Sequence, residues 1–266
     1  MIRTLWAFVV RDARLTFSYP FNLWMRAGSV VATVAGFYYM AALIKPSVHL
    51  GAGGKPLDYF TYVIINLAFM LLLTTSFQSI SQTLRRDQVA GTLEAIFVTP
   101  ANVWLVALSS GAWPMLYALF ETLLYFATAL LFGMRASGVD FGTLALFLVL
   151  GTLCMGAIGI LLGAVVIRYK QSPPTTFLAG SAAAVLSGVL FPVTLFPPAI
   201  RAISWLLPTT HALNGLRAAM LGLSASASFA DAVWLAVATL VLLPLSLLGF
   251  AHAFKVTVRE GTLASY

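Results

Sequence analysis

The sequence predicts an all-α integral membrane protein, and three observations carry that prediction. Of its 266 residues, 61% are hydrophobic and only 9% are charged. Soluble proteins have about 25% charged residues, so this chain lacks the polar shell that a water-facing surface needs. Six stretches reach or approach the roughly 20 apolar residues that cross about 30 Å of hydrocarbon. No repeat, long linker or low-complexity tract divides the sequence, so residues 1–266 are predicted to form a single membrane domain.

The elements follow in order from the apolar periodicity and its interruptions. Residues 1–20 carry an apolar stripe beside arginines, the pattern of a helix that lies in the headgroup plane. The six predicted transmembrane helices cover residues 22–44, 59–82, 103–132, 142–167, 176–195 and 230–254. Residues 84–102 connect the second and third spans, and they predict a short amphipathic helix before a Thr-Pro stop. Residues 196–222 are apolar but interrupted by prolines, which predicts short re-entrant or interfacial helices before the last span.

Orientation follows from the basic residues, because Lys and Arg accumulate in cytoplasmic segments. With the N-terminus inside, ten of the 15 basic residues fall on the inner side and five on the outer side. We therefore expect a multi-pass protein of the cell (inner) membrane with both termini cytoplasmic. The net charge of +7 is explained by this topology and by contact with anionic membrane lipid. Nucleic acid is not a predicted partner.

The residue inventory argues against catalysis or metal binding by these residues. The sequence contains no Gly-rich phosphate loop with its Lys and Ser/Thr. His49, His211 and His252 stand in three different segments without ligand spacing, so no metal site is predicted. Cys154 lies inside an apolar run and is expected to be a core residue. No nucleophile, base and orienting acid suggest themselves, so we do not expect an enzyme.

Glu121 is the only acidic residue deep in a predicted span, where a charge costs about 2.5 to 3.5 kcal/mol on insertion scales. It either pairs with an arginine of another segment, contacts a cationic group of a substrate, or has a purely structural hydrogen-bonding role. Trp113, Tyr117 and Phe120 precede it on the same segment. These aromatic residues suit a path for amphipathic molecules, and they equally suit a surface that faces lipid. The four residues are the candidates for a translocation path.

Residues 85–104, "RRDQVAGTLEAIFVTPANVW", resemble the cytoplasmic coupling segment of the type-2 ABC exporter (ABC-2 type) permeases. That segment usually has a Glu-Arg-Glu cluster, then Gly-Thr-Leu-Glu, then Thr-Pro. Here Gln88 and Val89 replace the second and third residues of the charged cluster. The resemblance implies an interface for an ATPase at Arg85, Arg86, Asp87, Gly91, Thr92, Leu93, Glu94, Phe97, Thr99 and Pro100.

A second block, residues 187–222, resembles the region before the last span of the same family. In that region a Ser-Gly, a proline pair, a Leu-Pro and a Gly-Leu-Arg recur. The positions that carry the match include Pro192, Pro197, Pro208 and Arg217. Together the two blocks extend the resemblance over essentially the whole chain.

The resemblance implies a permease subunit that pairs with a second permease, as a homodimer or a heterodimer. Two separate ATP-binding subunits would bind ATP and Mg²⁺ and push on residues 91–97 and on the N-terminal helix. The re-entrant helices would then cap a central path on the outside. The implied activity is ATP-driven export of an amphipathic or hydrophobic substrate, such as a drug, lipid or glycolipid. Export of a polysaccharide, a secondary transporter and a membrane scaffold that recruits an ATPase remain alternatives.

Overall fold

A computed structural model describes residues 2–43, 58–89, 91, 103–134, 138–169, 173–223, 226 and 228–259 of the chain. All regular structure in these residues is helical, in agreement with the predicted class. The α-helices are α1 (Ile2–Phe17), α2 (Pro20–Leu43), α3 (Tyr59–Val89), α4 (Val103–Leu131), α5 (Phe141–Tyr169), α6 (Pro173–Leu186), α7 (Pro198–Leu206), α8 (Pro208–Met220) and α9 (Phe229–Arg259), with a short 3-10 helix at Val193–Leu195.

Four of these helices, α3, α4, α5 and α9, are long and apolar enough to cross a membrane. They correspond to the second, third, fourth and sixth predicted spans. Helix α2 has 24 residues, but within its described residues Arg26 and the other polar side chains keep its hydropathy below that of the four. Helix α6 has 14 residues and is only about 21 Å long at 1.5 Å per residue. The count of six spans therefore stays a prediction.

Two helix ends differ from the predicted boundaries. The fifth predicted span, 176–195, is helical only to Leu186, because a turn follows and Pro192 then precedes the 3-10 helix. The second predicted span was expected to end at residue 82, but α3 continues to Val89. Arg and Gln are good helix formers, so a helix does not have to stop where its apolar residues stop. The charges at 85–87 consequently lie on the last turns of α3 and not in a connecting loop.

Helix α3 is the centre of the packing. It contacts α2, α4, α5, α6 and α8, and it supplies a row of fully buried apolar side chains that includes Phe69 and Leu72. Phe147 of α5 and Leu213 of α8 belong to the same core. Helix α9 packs chiefly on α5 and lies at the periphery of the described chain. A displacement of α3 would therefore also displace side chains of most of the other helices, because close-packed interiors transmit strain.

The glycines of α5 allow this helix to approach α3 closely. A Cβ atom at Gly159 would clash with the carbonyl oxygen of Ser76 on α3. One at Gly163 would stand 2.7 Å from the Ile80 side chain, also on α3. At Gly159 only a residue without a side chain lets the two helix backbones come this near.

Prolines divide residues 196–222 into two short helices, as the sequence predicts. Pro198 is the first residue of α7 and Pro208 the first residue of α8, the position where a missing N–H costs a helix nothing. The His211 ring of α8 lies between two partners, with Nδ1 2.5 Å from Asp231 of α9 and Nε2 2.8 Å from the Trp205 carbonyl oxygen. The side chain of His211 thereby links α7, α8 and α9.

Candidate functional site

Four charged residues join α1 to the end of α3, and we call them the ionic cluster: Arg11, Asp12, Arg86 and Asp87. On α1, the Nε of Arg11 donates a 2.9 Å hydrogen bond to Asp12. Between the helices, Arg11 lies 3.7 Å from Asp87 and Arg86 lies 3.6 Å from Asp12. Each helix thus contributes one cation and one carboxylate, and the ion pairs cross between the helices in both directions.

The two carboxylates of the ionic cluster are buried and the two cations are not. Asp12 is only 2% exposed and Asp87 is also buried, whereas the side chain of Arg86 is 54% exposed. A buried carboxylate needs a compensating charge. The two arginines supply it, Arg86 from a half-exposed position and Arg11 with a buried Nη2. This arrangement fixes α1 to α3 but leaves Arg86 room to change partners.

A hydrogen bond from α4 holds α1 in the same place. The Nε1 of Trp113 donates to the Thr16 hydroxyl at 2.8 Å, and that hydroxyl in turn donates to the Asp12 carbonyl oxygen. Phe17 packs edge-on against the Trp113 ring at 5.9 Å. The helix that carries Asp12 is therefore fixed by α3 and α4 together.

The ionic cluster lies directly before a turn at Gly91. Gly91, two residues after the last residue of α3, has a φ of +67°. Residues with a side chain rarely adopt this left-handed conformation, which glycine adopts freely at helix ends. Whatever acts on the segment after Gly91 is one turn of helix away from Asp87 and Arg86.

Comparison with known proteins identifies the family. The model of a family described as ABC-2 type transporter matches residues 3–221. The chain belongs to this family. The predicted resemblance is confirmed, and the match covers α1, the ionic cluster and both short helices.

Two relatives agree with that placement. The probable multidrug ABC transporter permease YbhR of Escherichia coli strain K12 is 26% identical over 159 residues, which are 58% of this chain and 42% of that protein. The protein of the same description from Escherichia coli O157:H7 matches with the same identity and coverage. The matched part is less than half the length of these relatives. This ABC-2 family member is thus similar to proteins described as probable multidrug ABC transporter permeases.

The predicted coupling residues are only partly described by the structure. Arg86 and Asp87 belong to the ionic cluster, Arg85 is exposed on the same turn of α3, and Gly91 forms the turn. The other predicted positions lie outside the described residues: Thr92, Leu93, Glu94, Phe97, Thr99 and Pro100. A role for each in binding an ATPase stays a prediction.

The candidate path residues of α4 lie together on the side that faces α1 and α2. Glu121 is 3.8 Å from Arg26 of α2, and the Arg26 guanidinium lies 5.2 Å from the centre of the Tyr117 ring. The Tyr117 ring is flanked by Trp113 and Phe120 at 6.3 and 6.4 Å. Of the alternatives for Glu121, pairing with an arginine of another segment is confirmed. A role in transport stays a prediction.

Arg217 of α8 is buried, at 6% exposure, and forms what we call the Arg217 cluster. Its Nη2 donates to Asn66 Oδ1 at 2.7 Å and to the Gly188 carbonyl oxygen at 2.8 Å, and it lies 3.4 Å from the Tyr62 hydroxyl. Among the residues that the structure describes, no carboxylate pairs with Arg217. The cluster joins α8 to α3 and to the turn after α6. The predicted positions Pro192, Pro197 and Pro208 stand at the starts of the short helices around it.

Sequence reasoning missed two features of this site. In the sequence, Asp12 is one charge among the arginines of a predicted surface helix. The structure shows that it is buried and that it contacts Arg86. A polar stripe also runs along the second half of α3 at a spacing of one helical turn: Thr74, Thr75, Gln78, Ser79, Gln82 and Thr83. That stripe was visible in the sequence as polar pairs four residues apart inside a predicted span.

Proposed function

We propose that this chain is the membrane permease subunit of an ATP-driven ABC exporter. It works with a separate ATP-binding subunit, in a complex of two permeases and two ATP-binding subunits. The observation that carries the proposal is the ionic cluster, which ties α1 and the end of α3 together immediately before the family's coupling segment. The partner subunits bind ATP and Mg²⁺, and the permease converts their closure into movement of helices.

Helix α3 suits the task of transmitting such a movement. It carries Arg86 and Asp87 near one end and Tyr62 and Asn66, the partners of Arg217, near the other. The 20 residues from Asn66 to Arg86 correspond to about 30 Å of helix, which is the thickness of the hydrocarbon core. A force on the coupling segment at Glu94 and Phe97 reaches α3 directly along the chain through Gly91, and the ionic cluster passes it to α1. The buried side chains of α3 pass it to α4 and α5, and the Arg217 cluster passes it to α8.

The topology that we propose has six spans, with α2 and α6 joining the four long apolar helices. Both termini are cytoplasmic in the cell (inner) membrane, as the distribution of Lys and Arg supports. Helix α1 lies in the headgroup plane, and α7 and α8 are re-entrant helices on the outer side that cover the path. In this arrangement the ionic cluster faces the ATPase and the Arg217 cluster faces the exterior.

The substrate that we propose is amphipathic or hydrophobic, of the drug, lipid or glycolipid type, and moves outward. Trp113, Tyr117, Phe120 and Glu121 line its path, where an apolar surface adjoins the Arg26–Glu121 ion pair. Two E. coli relatives are described as probable multidrug permeases, which supports this class.

Transport by the purified complex in inside-out vesicles tests the proposal. ATP should drive a fluorescent lipophilic dye or a labelled lipid into the vesicle lumen, and ADP should not. Gly91→Val should abolish this uptake, because valine resists the positive φ at that turn. Uptake driven by an ion gradient without ATP would indicate a secondary transporter. ATP hydrolysis that moves no dye, lipid or glycan would indicate a scaffold.

A further inference from the structure

Two cavities adjoin each other between α1, α2, α3 and α4, and they differ in chemistry. One, of about 750 Å³, is lined by the polar stripe of α3 and by Arg26 and Arg86, and we call it the polar cavity. The other, of about 590 Å³, is the apolar cavity. Its apolar wall includes Phe17, Leu23, Trp24, Leu116, Phe120 and Leu124. Arg26, Trp113 and Tyr117 line both cavities and thus stand at the boundary between them.

The polar cavity reaches far along the membrane part of the chain. Its lining extends from Thr74 to Arg86 of α3, which is about 18 Å of helix at 1.5 Å per residue. The Thr74 and Ser79 hydroxyls donate to backbone carbonyl oxygens of their own helix, and Gln82 donates to Gln78 at 2.7 Å. A polar stripe of this length is unfavourable against lipid tails, so it needs a polar occupant.

The charges of the polar cavity select an anion. Arg26 and Arg86 line it, while Asp12 stands outside the lining of both cavities and Glu121 lines the adjoining apolar cavity as the structure describes it. The ion-pair distances of 3.8 and 3.6 Å are longer than a hydrogen bond. A guanidinium has five N–H donors in a planar fork that fits phosphate oxygens. Both arginines are therefore able to bind an anionic group from the cavity side.

The apolar cavity gives the occupant a second requirement. Its rim residues Phe17 of α1, Trp24 of α2 and Phe120 of α4 are exposed. A free anion gains nothing from such a wall, whereas a hydrocarbon chain gains about 0.8 kcal/mol per buried methylene. The occupant that satisfies both cavities has an anionic headgroup and an apolar chain.

We infer that this pair of cavities binds an anionic phospholipid of the inner leaflet, with its phosphate between Arg26 and Arg86 and an acyl chain in the apolar cavity. The inference deepens the proposed function, because the apolar cavity is lined by the proposed path residues, but it concerns binding alone. Glu121 competes with the phosphate for Arg26. The negative charge of Glu121 therefore weakens the binding of the lipid.

Binding of fluorescent phosphatidylglycerol to the purified full chain in nanodiscs of neutral lipid tests the inference, without nucleotide. Phosphatidylglycerol should bind more tightly than phosphatidylcholine. Arg26→Gln and Arg86→Gln should each weaken phosphatidylglycerol binding about three- to tenfold, since each removes a charge-assisted hydrogen bond. The matched control is Arg14→Gln, which removes an exposed charge from α1 outside both cavity linings and should leave the affinity unchanged.

Glu121→Gln provides a test with the opposite sign. It removes the competing carboxylate and should tighten phosphatidylglycerol binding by a similar factor, which a loss of structure would not do. Ala27→Phe fills the apolar cavity and should weaken the binding of the long-chain lipid. Inorganic phosphate should still not compete with the lipid in this variant.

Several results would overturn the inference. Equal binding of the two lipids, or unchanged affinity in both arginine variants, would show that the cavities do not select an anion. Full competition by millimolar inorganic phosphate would show a site for free anions. A change in the particle mass of the variants without a change in lipid affinity would show an interface between copies of this chain. Loss of lipid binding alongside intact ATP-driven transport would remove this inference and leave the proposed function standing.

Discussion

The ionic cluster and the Arg217 cluster sit at opposite ends of α3 and are built differently. The ionic cluster has two cations and two carboxylates, with pair distances of 3.6 and 3.7 Å and a half-exposed Arg86. The Arg217 cluster has one buried cation with neutral partners at 2.7 and 2.8 Å. A long contact made by a half-exposed arginine is exchanged at small cost, whereas a buried cation cannot lose its partners. The ionic cluster therefore permits movement between helices, whereas the Arg217 cluster holds its helices in place.

This difference supports a division of labour along α3. A helix that receives a push needs a contact that shifts at the motor end. At its far end it needs a rigid attachment to whatever it moves, here α8 and the turn after α6. Substitutions at the two ends of α3 should therefore differ in their effects on stability and on transport.

The largest effect is expected at the rigid end. Arg217→Gln leaves Asn66 Oδ1 and the Gly188 carbonyl oxygen without their donor and should lower the free energy of unfolding by about 2 to 4 kcal/mol. Arg201→Gln on α7, an exposed charge of the same type, should cost less than about 0.5 kcal/mol. Thermal unfolding in detergent measures both. Equal melting temperatures for the two variants would contradict the structural role of Arg217.

The contact between α3 and α5 comes next. Gly159→Ala places a methyl group against the Ser76 carbonyl oxygen, and such overpacking should destabilise the protein by about 1 to 3 kcal/mol. Gly180→Ala on α6 is the control, because nothing lies within 4 Å of a Cβ there; it should be neutral or stabilise by up to about 1 kcal/mol. If thermal unfolding showed the two alanines to be equally tolerated, α3 and α5 would not pack as closely as described.

Substitutions in the ionic cluster should lower the free energy of unfolding less than Arg217→Gln and Gly159→Ala do, but they should reduce transport. A double-mutant cycle of Asp12→Asn and Arg86→Gln should give a coupling energy of about 0.5 to 1 kcal/mol in unfolding experiments. Transport per ATP hydrolysed should nevertheless fall in each single variant, because α1 and α3 no longer move together. Unchanged transport stoichiometry in both variants would remove the cluster from the transmission route.

Salt should produce the smallest effect and should distinguish the two ends. Raising the ionic strength from about 0.05 M to about 0.5 M should reduce the Asp12–Arg86 coupling energy by less than about 0.5 kcal/mol, because partly exposed charges are screened. The penalty of Arg217→Gln should not change, since its partners are buried. If denaturant titration showed that the loss of unfolding free energy in Arg217→Gln depends on salt, the Arg217 cluster would not differ from the ionic cluster in the way described.

Much of the fold follows from sequence, but contacts between helices do not. The apolar runs place α3, α4, α5 and α9 correctly, because their length and hydropathy are local properties. The periodicity of α1 places Asp12 beside arginines and gives no sign of its burial, which depends on where α3 lies. The apolar run predicts an end of the second span at residue 82, which is earlier than the end of α3 at Val89 because polar residues can end an apolar run without ending a helix. The charges at 85–87 continue the helix into the ionic cluster.

The candidate site shows the same limit. Gly91 was singled out by its resemblance to a family motif and Glu121 by the rarity of a buried acid, and both signals lie in single residues. The partners of Arg217, at positions 62, 66 and 188, are more than 25 residues away from it in sequence. A polar stripe on α3 was readable as a pattern, yet only the neighbouring helices turn it into a cavity wall.

Photo-crosslinking of the intact complex shows whether the coupling segment contacts the ATP-binding subunit. A photoreactive amino acid in place of Leu93, in the coupling segment, should form a crosslink to the ATP-binding subunit. The same amino acid in place of Ile203, exposed on α7, should form none, and ATP should change the yield at position 93 alone. A crosslink to the ATP-binding subunit from position 203, with none from position 93, would contradict the account.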